Sequence, residues 1–354
     1  MRLRRYGQPD LKDRSVIRTL DSMRVLRLLV CFALCVSAFA EEKLQRFEFS
    51  ETEMGLPFRI VLFAKNAATA KKASDAAFNR VKQLNDILSD YDSDSELSKL
   101  SRASGSGREV HVSDDLWNVL TRAQWFSEKS RGAFDITVGP VVNLWRYSRA
   151  VKRLPDPIKL EKARKAVGYQ KIRLNTNEYT VELLVPDMRL DVGGIGKGYA
   201  LDEAMKVLKT NGIARALVSG GGDMAVSEPP PGKDGWKIEL GQVETNAARE
   251  FVLIKNCGLA TSGDMFQRLE IDGKRYSHIV DPRTGIGLTD HSLVTVVAPN
   301  AMTADATSKP VSVLGPEDGL KFVDSIPGAA ARIVRKPKEK VEVVFSHNFD
   351  VHKE

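Results

Sequence analysis

The chain has 354 residues, 42% of them hydrophobic and 28% charged, ample for one large domain or two small ones with a filled core. Its formal charge of +7 is concentrated at the front, where residues 1–40 hold eight Lys/Arg against three Asp/Glu. The body that follows is close to neutral, which argues against the concentrated basic face that a nucleic-acid partner calls for.

The N-terminus reads as an export signal. From Met23 the chain runs MRVLR, then the apolar stretch LLVCFALCV, then SAFA, which places cleavage after Ala40 and the mature start at Glu41. The apolar run is too short to span a bilayer, and Leu34 is too large for the position before Cys35 in a lipoprotein box. Residues 1–22 are polar, and Met23 is the expected start codon. Cys31 and Cys35 fall in this segment, so the mature chain keeps only Cys257 and forms no internal disulfide. The apolar NCGLA context makes Cys257 a small core residue rather than a nucleophile.

In chain order, RFEFSE and FRIVLFAK predict two strands around Met54-Gly55. A helix is expected from about Asn66 to Ser89, with Val81, Leu84 and Leu88 on one face, and a second from Ser113 to just before Gly132. DPIKLEKARKAVGY reads as a shorter helix closed by Gly168. KIRLN and TVELLV are strand-like, Lys197 to Asn211 is helical with Gly212 as its stop, and ARALVSGGGDMAV is a buried strand running into a glycine turn. EPPPGKDG is a loop insertion, and Asp272-Gly273 between RLEI and KRYSHIV is a hairpin signal. SLVTVVA is a strand, residues 301–314 and 316–325 are helical, and ARIVR with KVEVVF are the last strands. Strands mixed with long helices, without strict alternation, predict an α+β fold.

Five segments carry more than packing needs. Tyr91, in LSDYDSDSE, offers a side chain that stacks on a planar ring, or the segment is a capping loop. Gly132 to Pro140, with Ala133, Phe134 and Asp135, lets backbone approach a ligand, or is a tight turn into a helix. LDVGGIGKGY, with Asp191, Gly194 and Lys197 at a strand-to-helix junction, suits a phosphate through N–H groups, the helix dipole and the Lys197 charge, or is a purely structural turn. VSGGGD places Asp223 as an acceptor after three glycines, or is a plain turn. Finally, Thr261-Ser262-Gly263 joins Tyr276 to Gly285, where His278 beside Asp281 suits proton transfer near neutral pH.

In this order the segments resemble the ApbE-like flavin transferases over roughly residues 45–345, with TSGD (261–264), SHIVDPRTG (277–285) and ADATSK (304–309) completing the set. The resemblance implies a T-fold-related, two-lobed flavin transferase fold spanning residues 41–354, with FAD between the lobes. It also implies a Mg²⁺-dependent transfer of FMN from FAD to a threonine or serine of an exported redox protein, with release of AMP. Carried over, Met54, Tyr91, Ala133, Phe134, Asp135, Asp191, Lys197, Thr261 and Ile279 contact FAD, with Asp223 and Ser262 in the same cofactor-binding motifs. His278 and Asp305 are the catalytic pair, and Mg²⁺ is bound by the Gly194 carbonyl and the Asp305 carboxylate. A periplasmic or cell-envelope location follows, with peripheral membrane association through the acceptor.

Two positions depart from the family pattern. Leu56 replaces the threonine usual after Met-Gly, a minor change. Lys309 stands where a threonine would give its hydroxyl to Mg²⁺. An ammonium about 4 Å from a dication at an effective dielectric near 20 is repelled by roughly 8 kcal/mol. Either the side chain swings away, or it takes the metal's place and pairs with the pyrophosphate, or the catalytic site is impaired. Thr307 and Ser308 are near in sequence, but on a helix they point to other faces. An FAD pyrophosphatase and a non-catalytic exported FAD-binding protein are the alternative functions.

Overall fold

The computed structural model describes residues 43–353 apart from 245–246, 264–267, 338–339 and 351. The expected export signal, its start and its cleavage site lie outside the described residues. From Leu44 onward the chain packs as one unit.

The first hairpin pairs β1 (Gln45–Glu53) with β2 (Leu56–Ala64). Strand β1 is mostly exposed at the sheet edge, whereas β2 is apolar on both faces. Phe58, Ile60 and Leu62 point into the main core, and Val61 with Phe63 into a smaller one behind the sheet. Burial on both sides is why FRIVLFA runs apolar instead of alternating. Helix α1 (Ala67–Leu88) follows, with the Asn66 side chain accepting from Thr69 N at 2.9 Å. Its stripe of Ala70, Ala73, Ala77, Val81, Leu84 and Leu88 is buried.

The second lobe starts with α2 (Glu96–Arg102), β3 (Val110–His111) and α3 (Asp114–Lys129). It continues with α4 (Gly139–Val151), α5 (Pro157–Lys165), and the strands β4 (Ile172–Asn175) and β5 (Thr180–Leu183). The chain then returns through α6 (Gly196–Thr210) to β6 (Ala216–Gly220) and β7 (Asp223–Val226). A hairpin of β8 (Trp236–Glu239) and β9 (Glu250–Ile254) covers the back of the sheet with Trp236, Val252 and Ile254. Strand β10 (Cys257–Gly263) lies in the main sheet. The predicted hairpin forms as β11 (Arg268–Ile271) and β12 (Lys274–Ser277), with Asp272 at φ 51° and Gly273 at φ 72°, the signature of a two-residue primed turn.

A short pair, β13 (Val280–Asp281) and β14 (Ile286–Gly287), precedes β15 (Ser292–Ala298). Helix α7 (Ala301–Asp324) breaks at Gly315 (φ 77°), which is where the sequence splits residues 301–314 from 316–325. Strands β16 (Ala330–Arg335) and β17 (Glu342–Phe345) complete the main sheet, and β18 (His352–Lys353) pairs with β9. The eight-stranded sheet has the order β1-β2-β6-β7-β10-β15-β16-β17, with every neighbouring pair antiparallel. Helices α1, α6 and α7 share the main core with it. The elements not foreseen are α2, β3, β8, β9, β14 and β18. Helix α4 was foreseen only as the turn-into-helix alternative after Gly132.

Two helix ends fix the centre of the molecule. Asp202, on α6, accepts from Ala301 N and Met302 N of α7, both at 2.9 Å. Asp305, on α7, accepts from Gly198 N of α6 at 3.1 Å. Each helix thus caps the other, as an anion at a helix N-terminus should. The crossing is close enough that a Cβ at Gly198 would lie 2.4 Å from the Ala301 carbonyl oxygen. Only glycine fits there.

Candidate active site

A cavity opens where α4, the 133–138 loop, residues 191–194, the 278–282 segment and α7 meet. Tyr91, Ala133, Phe134, Asp135, Asp191, Gly194, His278 and Ile279, all expected from sequence, line it. Phe134 lies 4% exposed between the core and the cavity. Tyr91 stands at the rim, 78% exposed, with the Arg146 guanidinium 4.3 Å from its ring centre. The segment before α2 caps, since Ser95 accepts from Ser98 N at 3.0 Å, which is the capping-loop reading.

The sequence reading missed Arg149 and, with the fuller set of partners, Arg146. Arg146 lines the cavity from α4, donates to Asp90, and donates to Asp191 Oδ2 at 2.9 Å. Asp191 also accepts from Gly193 N at 2.9 Å. Burial and the neighbouring Asp90 raise the Asp191 pKa, against the pull of Arg146. The one signal available was an arginine in NLWRYSR beside an aromatic, which no spacing rule separates from a solvated helix face.

Asp135 turns its carboxylate into the loop. Oδ1 accepts from Thr137 N at 2.8 Å and Thr137 Oγ1 at 2.6 Å, and Oδ2 accepts from Tyr169 N at 2.8 Å. Burial is the strongest influence on it and raises its pKa. The side chain therefore holds the 132–138 turn, and α4 begins just beyond at Gly139.

Beneath the cavity lies a cluster of two lysines and two aspartates. Lys197 Nζ is 2.5 Å from Asp223 Oδ2 and 3.2 Å from Asp305 Oδ2. Lys309 Nζ is 2.8 Å from Asp305 Oδ1 and 3.0 Å from Ser308 Oγ. Asp223 Oδ1 also accepts from Thr261 N at 3.1 Å. Burial works against the Lys197 ammonium, but Asp223 and Asp305 outweigh it and raise its pKa. Burial likewise opposes the Asp305 carboxylate, yet Lys197 and Lys309 hold it below the usual range. The charged forms cancel, which is what makes so buried a group of ions tolerable.

Met54, Lys197, Asp223, Thr261, Ser262 and Asp305 do not line the cavity wall. Four of them form or border the cluster just described. Ser262 follows Thr261 on β10, so strand alternation sends the two side chains to opposite faces. Met54 (φ 52°) lies in the β1–β2 turn, beside Leu56, whose Cδ1 would be 2.8 Å from a Cβ at Gly221. The VSGGGD glycines form the β6–β7 hairpin turn, with Gly221 at φ 61° and Gly222 at φ 92°. The plain-turn reading holds there, while Asp223 serves as an acceptor for Lys197 and Thr261 N.

The phosphate reading of LDVGGIGKGY needs correction at one atom. The Gly198 N–H at the start of α6 donates to Asp305, so that helix end already faces an anion. Ser308 also differs from expectation, because its hydroxyl reaches back to accept from Lys309. The Thr307 hydroxyl is buried without a hydrogen-bond partner.

The residues present do not fit the expected Mg²⁺ on Gly194 and Asp305. Both Asp305 oxygens already accept from cationic or N–H donors. A Mg²⁺ at about 2.1 Å from Oδ1 would sit roughly 4 Å from the Lys309 ammonium. The repulsion there is on the order of 8 kcal/mol, before Lys197 adds its own.

An α+β body with an aromatic and arginine-lined cavity over a lysine-bearing floor has the chemistry to take a flat ring joined to phosphate. The ApbE family model matches residues 54–333. The chain is 31% identical to the FAD:protein FMN transferase of Haemophilus influenzae over 319 residues, 87% of this chain and 92% of that one. Among solved structures, the apo flavinyl transferase ApbE of Pseudomonas stutzeri superposes with a TM-score of 0.77 at 27% identity, covering 86% of this chain and 95% of that one. The flavin transferase ApbE of Vibrio cholerae gives a TM-score of 0.78 at 26% identity, covering 87% and 99%. The chain belongs to the ApbE family, and its fold is the α+β, T-fold-related two-lobed flavin transferase fold.

Proposed function

We infer that this chain is an FAD:protein FMN transferase, with FAD as its substrate and a second protein as acceptor. The observation that carries the reading is the cavity itself: Tyr91 on Arg146 at the rim, with Phe134, Ile279, His278 and Lys309 in the lining. An isoalloxazine ring suits the aromatic rim, and a pyrophosphate suits the cationic floor.

In the proposed step, a threonine or serine hydroxyl oxygen of the acceptor attacks the phosphorus on the FMN side of the pyrophosphate. The new P–O bond forms as the bond from that phosphorus to the bridging oxygen breaks, and the bridging oxygen leaves with AMP. The hydroxyl proton passes to a base, a role that the cavity position of His278 supports. Lys197, held by two buried carboxylates, keeps a fixed positive charge beneath the reacting group. Asp305 orients both lysines. The acceptor is an exported redox protein in this reading, supported by the signal-like pattern that ends at Ala40, and membrane association comes through that acceptor. N-terminal sequencing of the secreted form should begin at Glu41.

The test combines the chain, FAD and a threonine-bearing acceptor domain, and follows the acceptor's intact mass with AMP release. Gain of one FMN phosphoryl group per acceptor, matched by AMP, supports the reading. FMN and AMP released with the acceptor unmodified would make the chain an FAD pyrophosphatase instead.

A further inference from the structure

We propose that Lys309 is the built-in cation of this site, so that FMN transfer by this chain proceeds without a divalent metal. The proposal rests on the transferase reading above and concerns what neutralises the pyrophosphate.

Three observations carry it. First, Lys309 is held in place rather than turned away. It sits one helical turn after Asp305 on α7, with Nζ 2.8 Å from Asp305 Oδ1 and 3.0 Å from Ser308 Oγ. Its stem packs over Gly194, where an added Cβ would lie 3.1 Å from Lys309 Cγ. Second, it is the member of the buried ionic cluster that also lines the cavity. An ammonium has three N–H donors, so two can serve Asp305 and Ser308 while one remains for a phosphate oxygen. Third, the cluster is closed electrically: two lysines balance two aspartates, and a dication added there would leave an excess of two positive charges in a buried place.

Lys309 supplies one positive charge where a dication supplies two. Arg149, also on the cavity wall, adds a second positive charge to the lining. The bonds made and broken are those of the step already written. Lys309 keeps its proton and only donates hydrogen bonds to a non-bridging oxygen.

The experiment uses the full chain, FAD and the acceptor domain, in EDTA or in millimolar Mg²⁺, with Lys309→Thr in parallel. Bound Mn²⁺ is counted by electron paramagnetic resonance in the presence of FAD, and FAD affinity is measured by flavin fluorescence. The wild-type chain should transfer FMN at rates within about twofold with and without Mg²⁺, bind FAD equally in both, and hold no Mn²⁺. Lys309→Thr should lose on the order of a hundredfold in EDTA, the effect of removing one preorganised charge-stabilising donor. It should recover with Mg²⁺ and hold one Mn²⁺. Wild-type transfer that stops in EDTA, or one Mn²⁺ bound by the wild-type FAD complex, would overturn the proposal while leaving the transferase reading intact. Tight FAD binding with no transfer by either protein in either condition would overturn both.

Discussion

Replacing Arg146 with Met removes the cation that bridges Asp90 and Asp191 while keeping most of the apolar stem. At 2.9 Å from Asp191 and an effective dielectric near 20, the lost attraction is about 6 kcal/mol for that pair alone. Removing one partner of a buried pair is worth about 3–5 kcal/mol in practice. Arg189 also lowers the Asp191 pKa, and Arg146 is 23% exposed, so a loss near the low end, about 3 kcal/mol, is expected at pH 8. The Asp191 pKa is already raised by burial and by Asp90, and losing Arg146 raises it further. A carboxyl with a raised folded pKa is destabilising only in its charged form, so the loss should be smaller at pH 5 than at pH 8. Urea unfolding followed by tryptophan fluorescence at both pH values measures this. FAD binding should weaken roughly two- to fivefold as Tyr91 loses its cationic support. An equal loss of stability at pH 5 and pH 8 would show that Asp191 does not take up the proton, and would refute the argument.

Other perturbations follow the same geometry. Gly198→Ala should cost about 3 kcal/mol, because its Cβ meets backbone atoms of Ala301 and Met302, and the melting temperature should fall by roughly 5 °C. Gly212→Ala, with open space around it at φ 80°, should cost only about 1 kcal/mol, and an equal effect of the two would contradict the packing account. Burial pushes the Asp202 carboxyl up to about 6, against the two main-chain N–H groups that favour its charged form. Its folded pKa lies above the unfolded value, so its stabilising contribution is full below about pH 4 and is lost as pH rises through 6. Relative to Asp202→Asn, the wild type should lose up to about 3 kcal/mol across that window by urea titration; a gain would mean that the capping bonds prevail. Burial also pushes the Cys257 thiol up to about 11, so iodoacetamide should label it slowly at pH 8 in the native state and readily in urea.

The sequence by itself determined the elements whose cause is local. The Asp272-Gly273 hairpin follows from turn chemistry, the buried stripe of α1 from helical period, and the break of α7 at Gly315 from a glycine followed by Pro316. The ordered motifs were enough to assemble the apolar wall, since Phe134 and Ile279 sit in segments whose character is visible one segment at a time. What tertiary structure alone decided is who faces whom. Asp305 meets Gly198 and Lys197 from more than a hundred positions away, and that meeting turns an apparent phosphate-binding helix end into the seat of a carboxylate. Arg146 gains its role only when α4 brings it against Asp90 and Asp191, 56 and 45 residues distant. Lys309 could be recognised in sequence as misplaced for a metal. Whether it swings away or stays beside Asp305 depended on the space above Gly194 and on the Ser308 hydroxyl, because ionic partners are chosen by packing and local sequence rules do not encode distance across a fold.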